Sequence, residues 1–199
     1  TQKTGSASES LISIFNEQYS MPVDGFFILS QDAFVKLVDL MDGVDVNLEE
    51  EMTVDSVVYP AGVQTLAGDA ALQYMLKRED GVQGDIDRLV RQRKVMAALF
   101  QRLIATPEKS LQEDSLVPLM NGSTPIRSNL TSEEMVELLT GMAGITPANM
   151  TAYVIPGEVA SSDSVNYYSV HRAELAALLN QAFNPYGRTI TEADLQVKE

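Results

Sequence analysis

Residues 84–105, GDIDRLVRQRKVMAALFQRLIA, constrain this chain more than any other stretch. Gly84-Asp85 opens the run, apolar residues recur at helical spacing and Thr106-Pro107 closes it, which predicts one long helix with Asp85 as N-cap. With about 100° of turn per residue, Leu89, Val95, Met96, Leu99, Phe100 and Leu103 share one apolar arc. Arg88 and Gln92 lie in the middle of that arc. A guanidinium facing a core is costly unless an anion meets it, and the macrodipole disfavours a cation in a helix's first turn. Two arrangements resolve the conflict. In the first, a cleft holds an anionic ligand against the helix N-terminus and Arg88, with Gln92 one turn deeper and an apolar channel beyond. In the second, Arg88 and Arg91 pair with Asp85, Asp87 or Glu79 as a structural ion network.

The charge distribution favours a confined anion site. The formal net charge is −14, which argues against general nucleic-acid binding, because phosphate contacts need a basic surface. No helix-turn-helix pattern supports a transcription factor. Yet seven of the 14 Lys and Arg residues fall between Lys77 and Arg102, a segment with only four acids. A small polyanion such as a pyrophosphate suits that patch better than a duplex. There is no cysteine, and the single His171 excludes a multi-histidine metal centre; it stands near a helix start, where a capping or solvent-facing role is expected. The longest apolar run, residues 95–100, is too short to span a membrane, and no signal peptide is recognisable.

The 199 residues, 45% hydrophobic, predict one domain with a substantial core. Residues 1–8 read as a frayed start, 9–19 as a helix, 23–29 as a buried strand, 32–41 as a helix capped from Ser30, and 44–48 as a strand. That alternation has the rhythm of an α/β sheet. Glu49-Glu50-Glu51 reads as a solvated turn, residues 57–59 as a short strand, 60–62 as a turn, and 66–76 as a helix capped by Asp69 that delivers Lys77 and Arg78 to the long helix. Residues 112–120 carry no clear signal. Residues 126–130 read as a short extended piece, and Thr131-Ser132-Glu133-Glu134 as the cap of a helix ending at Gly141 or Gly144. Residues 150–155 read as a strand, 157–164 as a loop, 165–170 as a strand, 173–183 as the last helix and 184–199 as a loosely packed tail.

Several of these pieces carry a resemblance. Gly43-Val44-Asp45-Val46, Gly62, residues 66–74 (LAGDAALQY), Arg78, Asp85, Arg88 and Arg91-Gln92 resemble the LytR-CpsA-Psr family of cell-wall enzymes in order and spacing over residues 22–103. Residues 154–158 with Tyr167-Tyr168 look like its later strands. The resemblance implies a three-layer α/β/α sandwich around a mixed central sheet, with a polyprenyl lipid in an apolar tunnel and its pyrophosphate at a basic mouth. It further implies transfer of an anionic glycopolymer-phosphate, such as teichoic acid, from polyprenyl pyrophosphate to peptidoglycan, assisted by Mg²⁺. Family members act on the extracellular face of the bacterial membrane, to which they are anchored; here the anchor would lie outside the chain. Arg78, Arg88 and Gln92 match its phosphate-binding positions, with Asp85 and Arg91 beside them and Lys77 adjacent. The resemblance thus puts Arg78, Asp85 and Arg88 in the catalytic set, and Lys77, Arg78, Arg88, Arg91 and Gln92 in the substrate-binding set.

Two positions depart from the family. Leu76 stands where the family usually has the first arginine of Arg-x-Arg, and Asp87 stands where it usually has glycine. The strands carrying the family's Arg-Asp-Thr motif and acidic metal ligands have no counterpart before Glu9, so the domain is expected to be N-terminally incomplete and without metal ligands; Glu79, Asp80 and Asp85 are poor candidates. Three functions remain open on the residues: a glycopolymer phosphotransferase, a non-catalytic polyprenyl-phosphate binder of the same fold, and an interaction domain whose arginines only form ion pairs.

Overall fold

In a computed structural model of the protein, residues 7–78, 82–106, 126–142, 144–146, 149–162 and 165–197 are described. The expectations for residues 1–6, 112–120, 163–164 and 198–199, and for Glu79 and Asp80, lie outside them. The chain divides into two compact units, Thr1–Phe26 with Tyr153–Glu199, and Phe27–Ala152.

The second unit holds the long helix. Helix α2 (Gln31–Leu40) starts at Ser30, whose side chain accepts from Ala33 N–H, and buries Phe34, Leu37 and Val38. After Gly43, at φ +89, strand β2 (Val44–Leu48) alternates buried and exposed residues. Strands β3 (Met52–Val54) and β4 (Val57–Tyr59) form a hairpin. Strand β5 (Gly62–Leu66) pairs antiparallel with all five residues of β2. The turn expected at residues 60–62 therefore leads into a strand, and the helix expected from Leu66 begins later, as α3 (Gly68–Leu76).

The cap of α3 also differs. Ala67 occupies the N-cap and offers no side-chain bond; Asp39 of α2 supplies the missing acceptor, taking Gly68 N–H at 2.8 Å. Asp69 sits inside the first turn instead. This cap from a neighbouring helix requires close approach, and Gly68 permits it: a Cβ there would lie 2.4 Å from the Val35 carbonyl oxygen.

Helix α4 (Val82–Ala105) packs against α3 and β2. Val95 and Leu99 join Leu37, Val38, Val44, Leu66 and Tyr74 in one core. Asp45 of β2 accepts from Thr65 Oγ1 at 2.6 Å and from Arg102 Nη2 at 2.8 Å, tying strand pair to helix. The buried strand expected over residues 23–29 reduces to β1 (Phe27–Ile28), paired with β6 (Arg127–Ser128), and both its residues are exposed. The reason is that Phe27 faces a cavity rather than a packed core. Helix α5 (Ser132–Gly141) has the expected reciprocal capping box between Thr131 and Glu134.

The other unit contains α1 (Ala7–Gln18), a hairpin of β7 (Gly157–Ser162) and β8 (Val165–Val170), and α6 (Arg172–Ala182). Residues 150–155 are not a strand, whereas 157–162, expected as a loop, pair residue for residue with β8. His171 is the N-cap of α6 without a side-chain cap bond, and its Nδ1 lies 3.3 Å from Glu174 Oε1. The tail expected to be loose is packed: Ile190, Leu195 and Val197 are buried with Val170, Leu175 and Leu179. Asn180 holds Ile190 at both ends of its backbone, donating to Ile190 O at 2.7 Å and accepting from Ile190 N at 2.8 Å. Gln196 N–H reaches Gln18 O at 2.9 Å.

Helices and strands interleave along the chain as an α/β fold requires. Every described strand pair is antiparallel and two-stranded, so the parallel pairing of a mixed sheet is not seen among the described residues. No described helix is long and apolar enough to cross a membrane.

Candidate functional site

Two of the expected site residues, Arg78 and Arg88, converge on the carboxylate of a third, Asp85. Asp85 Oδ1 lies 3.0 Å from Arg88 Nη2 and 3.2 Å from Arg78 Nε, and its Oδ2 accepts from Arg78 Nη2 at 3.3 Å. Asp85 is not the N-cap, because α4 begins at Val82 and places it inside the first turn. From there its carboxylate turns to the guanidiniums. Arg88 is accordingly one turn further into the helix than expected, with its side chain one-third exposed. The ion pairs leave one donor over: Arg88 Nε is buried and has no hydrogen-bond partner among the described residues. A buried guanidinium N–H of this kind favours an additional acceptor.

Lys77 and Arg91 belong to a neighbouring cluster. Lys77 Nζ bonds Glu50, and Lys94 Nζ bonds Glu49, so the acidic turn expected to be merely solvated clamps two cations of the basic segment. Those contacts hold both glutamates below the usual carboxylate range, through Lys94 for Glu49 and Lys77 for Glu50. Tyr74 donates to Glu49 at 3.3 Å, and burial, with the Glu49 charge, pushes its phenol up to about 12. Arg91 Nη2 donates to Lys77 O at 2.7 Å, while its Nε, like that of Arg88, is buried without a partner among the described residues. The two readings of the helix thus coexist: an ion network forms, and it leaves inward donors unfilled. Sequence reasoning missed Glu49, Glu50 and Tyr74; these partners stand 25, 27 and 45 residues apart along the chain and give no local signal.

An apolar cavity of about 530 Å³ lies along α4 beyond these arginines. Met96, Leu99, Phe100 and Leu103 form its α4 wall, facing Phe27 and Leu29 and the Met135, Leu138 and Met142 side of α5. Gln92, half-buried, stands one turn before Met96 on the same face, so Arg88 lies about 12 Å up the axis from Met96 at 1.5 Å per residue. Leu89, 61% exposed, continues the apolar strip towards Arg88. The α5 contribution was legible only as Met135, Leu138 and Met142 at helical spacing, and nothing local joined it to α4.

No three His, Asp or Glu side chains among the described residues come together to hold a metal ion. Asp85, the carboxylate at the arginines, is already shared by two guanidiniums. The described residues alone therefore supply no complete set of protein ligands for a metal ion.

The sequence profile of the LytR_cpsA_psr family matches residues 3–184. The chain belongs to the LytR_cpsA_psr family. Among curated proteins it is similar to the polyisoprenyl-teichoic acid–peptidoglycan teichoic acid transferase TagU of Bacillus mycoides, with 28% identity over 163 residues, covering 81% of this chain and 52% of TagU. It is also 30% identical over 172 residues to the cell wall biosynthesis protein LcpA of Corynebacterium glutamicum, covering 84% of this chain and 32% of LcpA. The chain thus spans about half or less of the length of these relatives. The solved structure of Bacillus subtilis TagV superposes with a TM-score of 0.69 at 21% identity, covering 89% of this chain and 69% of TagV, which shows that the LytR_cpsA_psr fold is shared.

Proposed function

We propose that the chain forms the lipid and phosphate site of a cell-wall phosphotransferase, which moves a glycopolymer-phosphate from a polyprenyl pyrophosphate carrier to peptidoglycan on the extracellular face of the membrane. The observation that carries the proposal is the arrangement on α4: a paired-arginine head with a buried, unfilled Arg88 Nε, and a cavity of about 530 Å³ further along the same helix. A polyprenyl pyrophosphate has that polarity, a dianionic or more highly charged head on an apolar tail. The names of TagU and LcpA support the same reading, because the first describes a polyisoprenyl-teichoic acid–peptidoglycan transferase and the second a cell wall biosynthesis protein.

Chemically, transfer here demands positioning and charge more than a strong nucleophile. The pyrophosphate oxygens compete with Asp85 for Arg78 and Arg88. An acceptor sugar hydroxyl then forms a bond to the glycopolymer-bearing phosphorus as the bridging P–O bond breaks, its proton ends on the departing polyprenyl phosphate, and the guanidiniums neutralise the charge that leaves. A Mg²⁺ ion would add its charge to that of the guanidiniums.

A second reading, a polyprenyl-phosphate binder without turnover, is favoured by Leu76. It is 47% exposed beside Lys77 and Arg78, where the family resemblance calls for a guanidinium. Incubation with a lipid-linked glycopolymer, peptidoglycan and Mg²⁺ separates the two. Glycopolymer attached to peptidoglycan supports the transferase. Lipid bound without transfer supports the binder.

A further inference from the structure

Asp85 occupies the seat between Arg78 and Arg88 that the proposed function gives to a phosphate, and its role here rests on that reading. Its two oxygens meet Arg78 side-on, Oδ1 at 3.2 Å from Nε and Oδ2 at 3.3 Å from Nη2, while Oδ1 also lies 3.0 Å from Arg88 Nη2. A carboxylate presented to the edge of a guanidinium in this way imitates a phosphate, which arginine binds with the same parallel fork. The imitation is incomplete. Arg88 Nε stays buried with no hydrogen-bond partner among the described residues, and the additional oxygens of a phosphate can fill it. Glu49 and Glu50 do not share the seat, because Lys94 and Lys77 hold them. The Asp85 side chain is 43% exposed, so it turns out into water without being desolvated.

We infer that Asp85 is an internal competitor for the anion seat: its own carboxylate closes the empty site, an anion binds only once that carboxylate has turned away, and the carboxylate's return helps to expel polyprenyl phosphate after transfer. Asp85 acts through the arginines, as a positioning residue. Because only the open form binds, the apparent Kd of an anion is its intrinsic Kd divided by the open fraction. Each partly exposed ion pair resists opening by a factor of about 1.7 to 5.5, so the two together weaken binding about 3- to 30-fold. That factor belongs to the protein, so it applies equally to an anion with one phosphate and to one with two.

The test is isothermal titration calorimetry of the chain with inorganic phosphate and with inorganic pyrophosphate, at low salt and without divalent metal. Asp85→Asn keeps the shape of the side chain and removes its charge. It should bind both anions about 3- to 30-fold more tightly than the parent, by factors that agree within about twofold. Asp85→Ala, which also removes the carboxylate, should move affinity in the same direction. Asp85→Glu restores the charge and should stay within about twofold of the parent. Loss of a merely structural carboxylate would instead loosen the arginines and weaken binding. Affinity of the two charge-removing variants equal to or below the parent's, or unfolding of both by circular dichroism, would overturn this inference and leave the proposed function standing. Failure of the parent and all variants to bind either anion would overturn both.

Discussion

Gly68→Ala isolates the contact that positions α3, and with it Lys77 and Arg78. A Cβ at residue 68 would lie 2.4 Å from Val35 O, 2.8 Å from Val35 Cγ1 and 2.9 Å from Val35 C. An ordinary non-bonded contact is about 3.5 Å, so α3 must retreat from α2 by about 1 Å, and the obstacle is backbone that cannot rotate away. That retreat stretches the 2.8 Å bond from Gly68 N to Asp39, the cap of α3. Overpacking costs about 1–3 kcal/mol and loss of the cap about 1 kcal/mol, against at most about 1 kcal/mol returned by alanine's helix propensity. The net expectation is a loss of about 2 kcal/mol, or a fall of about 1 M in the urea midpoint followed by circular dichroism. Gly141→Ala is the control, because a Cβ there meets nothing within 4 Å; it should be neutral or slightly stabilising. A Gly68→Ala protein as stable as the parent would refute the account of the α2–α3 contact.

Other perturbations bear on the site and the tail. Leu76→Arg returns a guanidinium to an exposed position, and titration at two salt concentrations should show several-fold tighter binding of geranylgeranyl phosphate with a steeper salt dependence. In the tail, Asp194 is held well below its ordinary value of 3.8, chiefly by Arg188, to which it lies at 2.9 Å, and then by Thr191. A depressed carboxylate stabilises fully above its unfolded value and loses that contribution as pH falls through its folded value. Acid titrations followed by circular dichroism should therefore show Asp194→Asn weakening the protein at neutral pH while reducing its sensitivity below about pH 4.

Legibility in the sequence followed the range of the interactions. Ser30 before α2, the Thr131–Glu134 box, the alternation of β2 and the periodicity of α4 are local signals, and each produced the expected element. Strand β5 was lost because Gly62 reads as a turn residue and Leu66 as a helix start, while its stability comes from pairing with β2. Residues 157–162 look like a loop by composition and become a strand only opposite β8. Asp85 behaved as a cap in sequence, yet its charge is drawn to Arg78, a residue from the end of the preceding helix's C-cap region. The arginine head was visible as a contradiction on one helix wheel. The cavity's far wall on α5 and the Glu49–Lys94 and Glu50–Lys77 pairs are tertiary, and no pattern within either partner announces them.

The central claim is that Arg88 holds the phosphate of a lipid whose tail enters the α4 cavity. Native mass spectrometry of the chain and of Arg88→Ala, each offered geranylgeranyl phosphate, tests it most directly. Because the Arg88–Asp85 pair is partly exposed, its loss should cost no more than about 1 kcal/mol in stability. The account predicts a one-to-one lipid adduct on the parent chain and its loss on a folded Arg88→Ala protein. Equal adducts on both proteins, or an Arg88→Ala chain that unfolds, would contradict it and leave the arginines as a structural network.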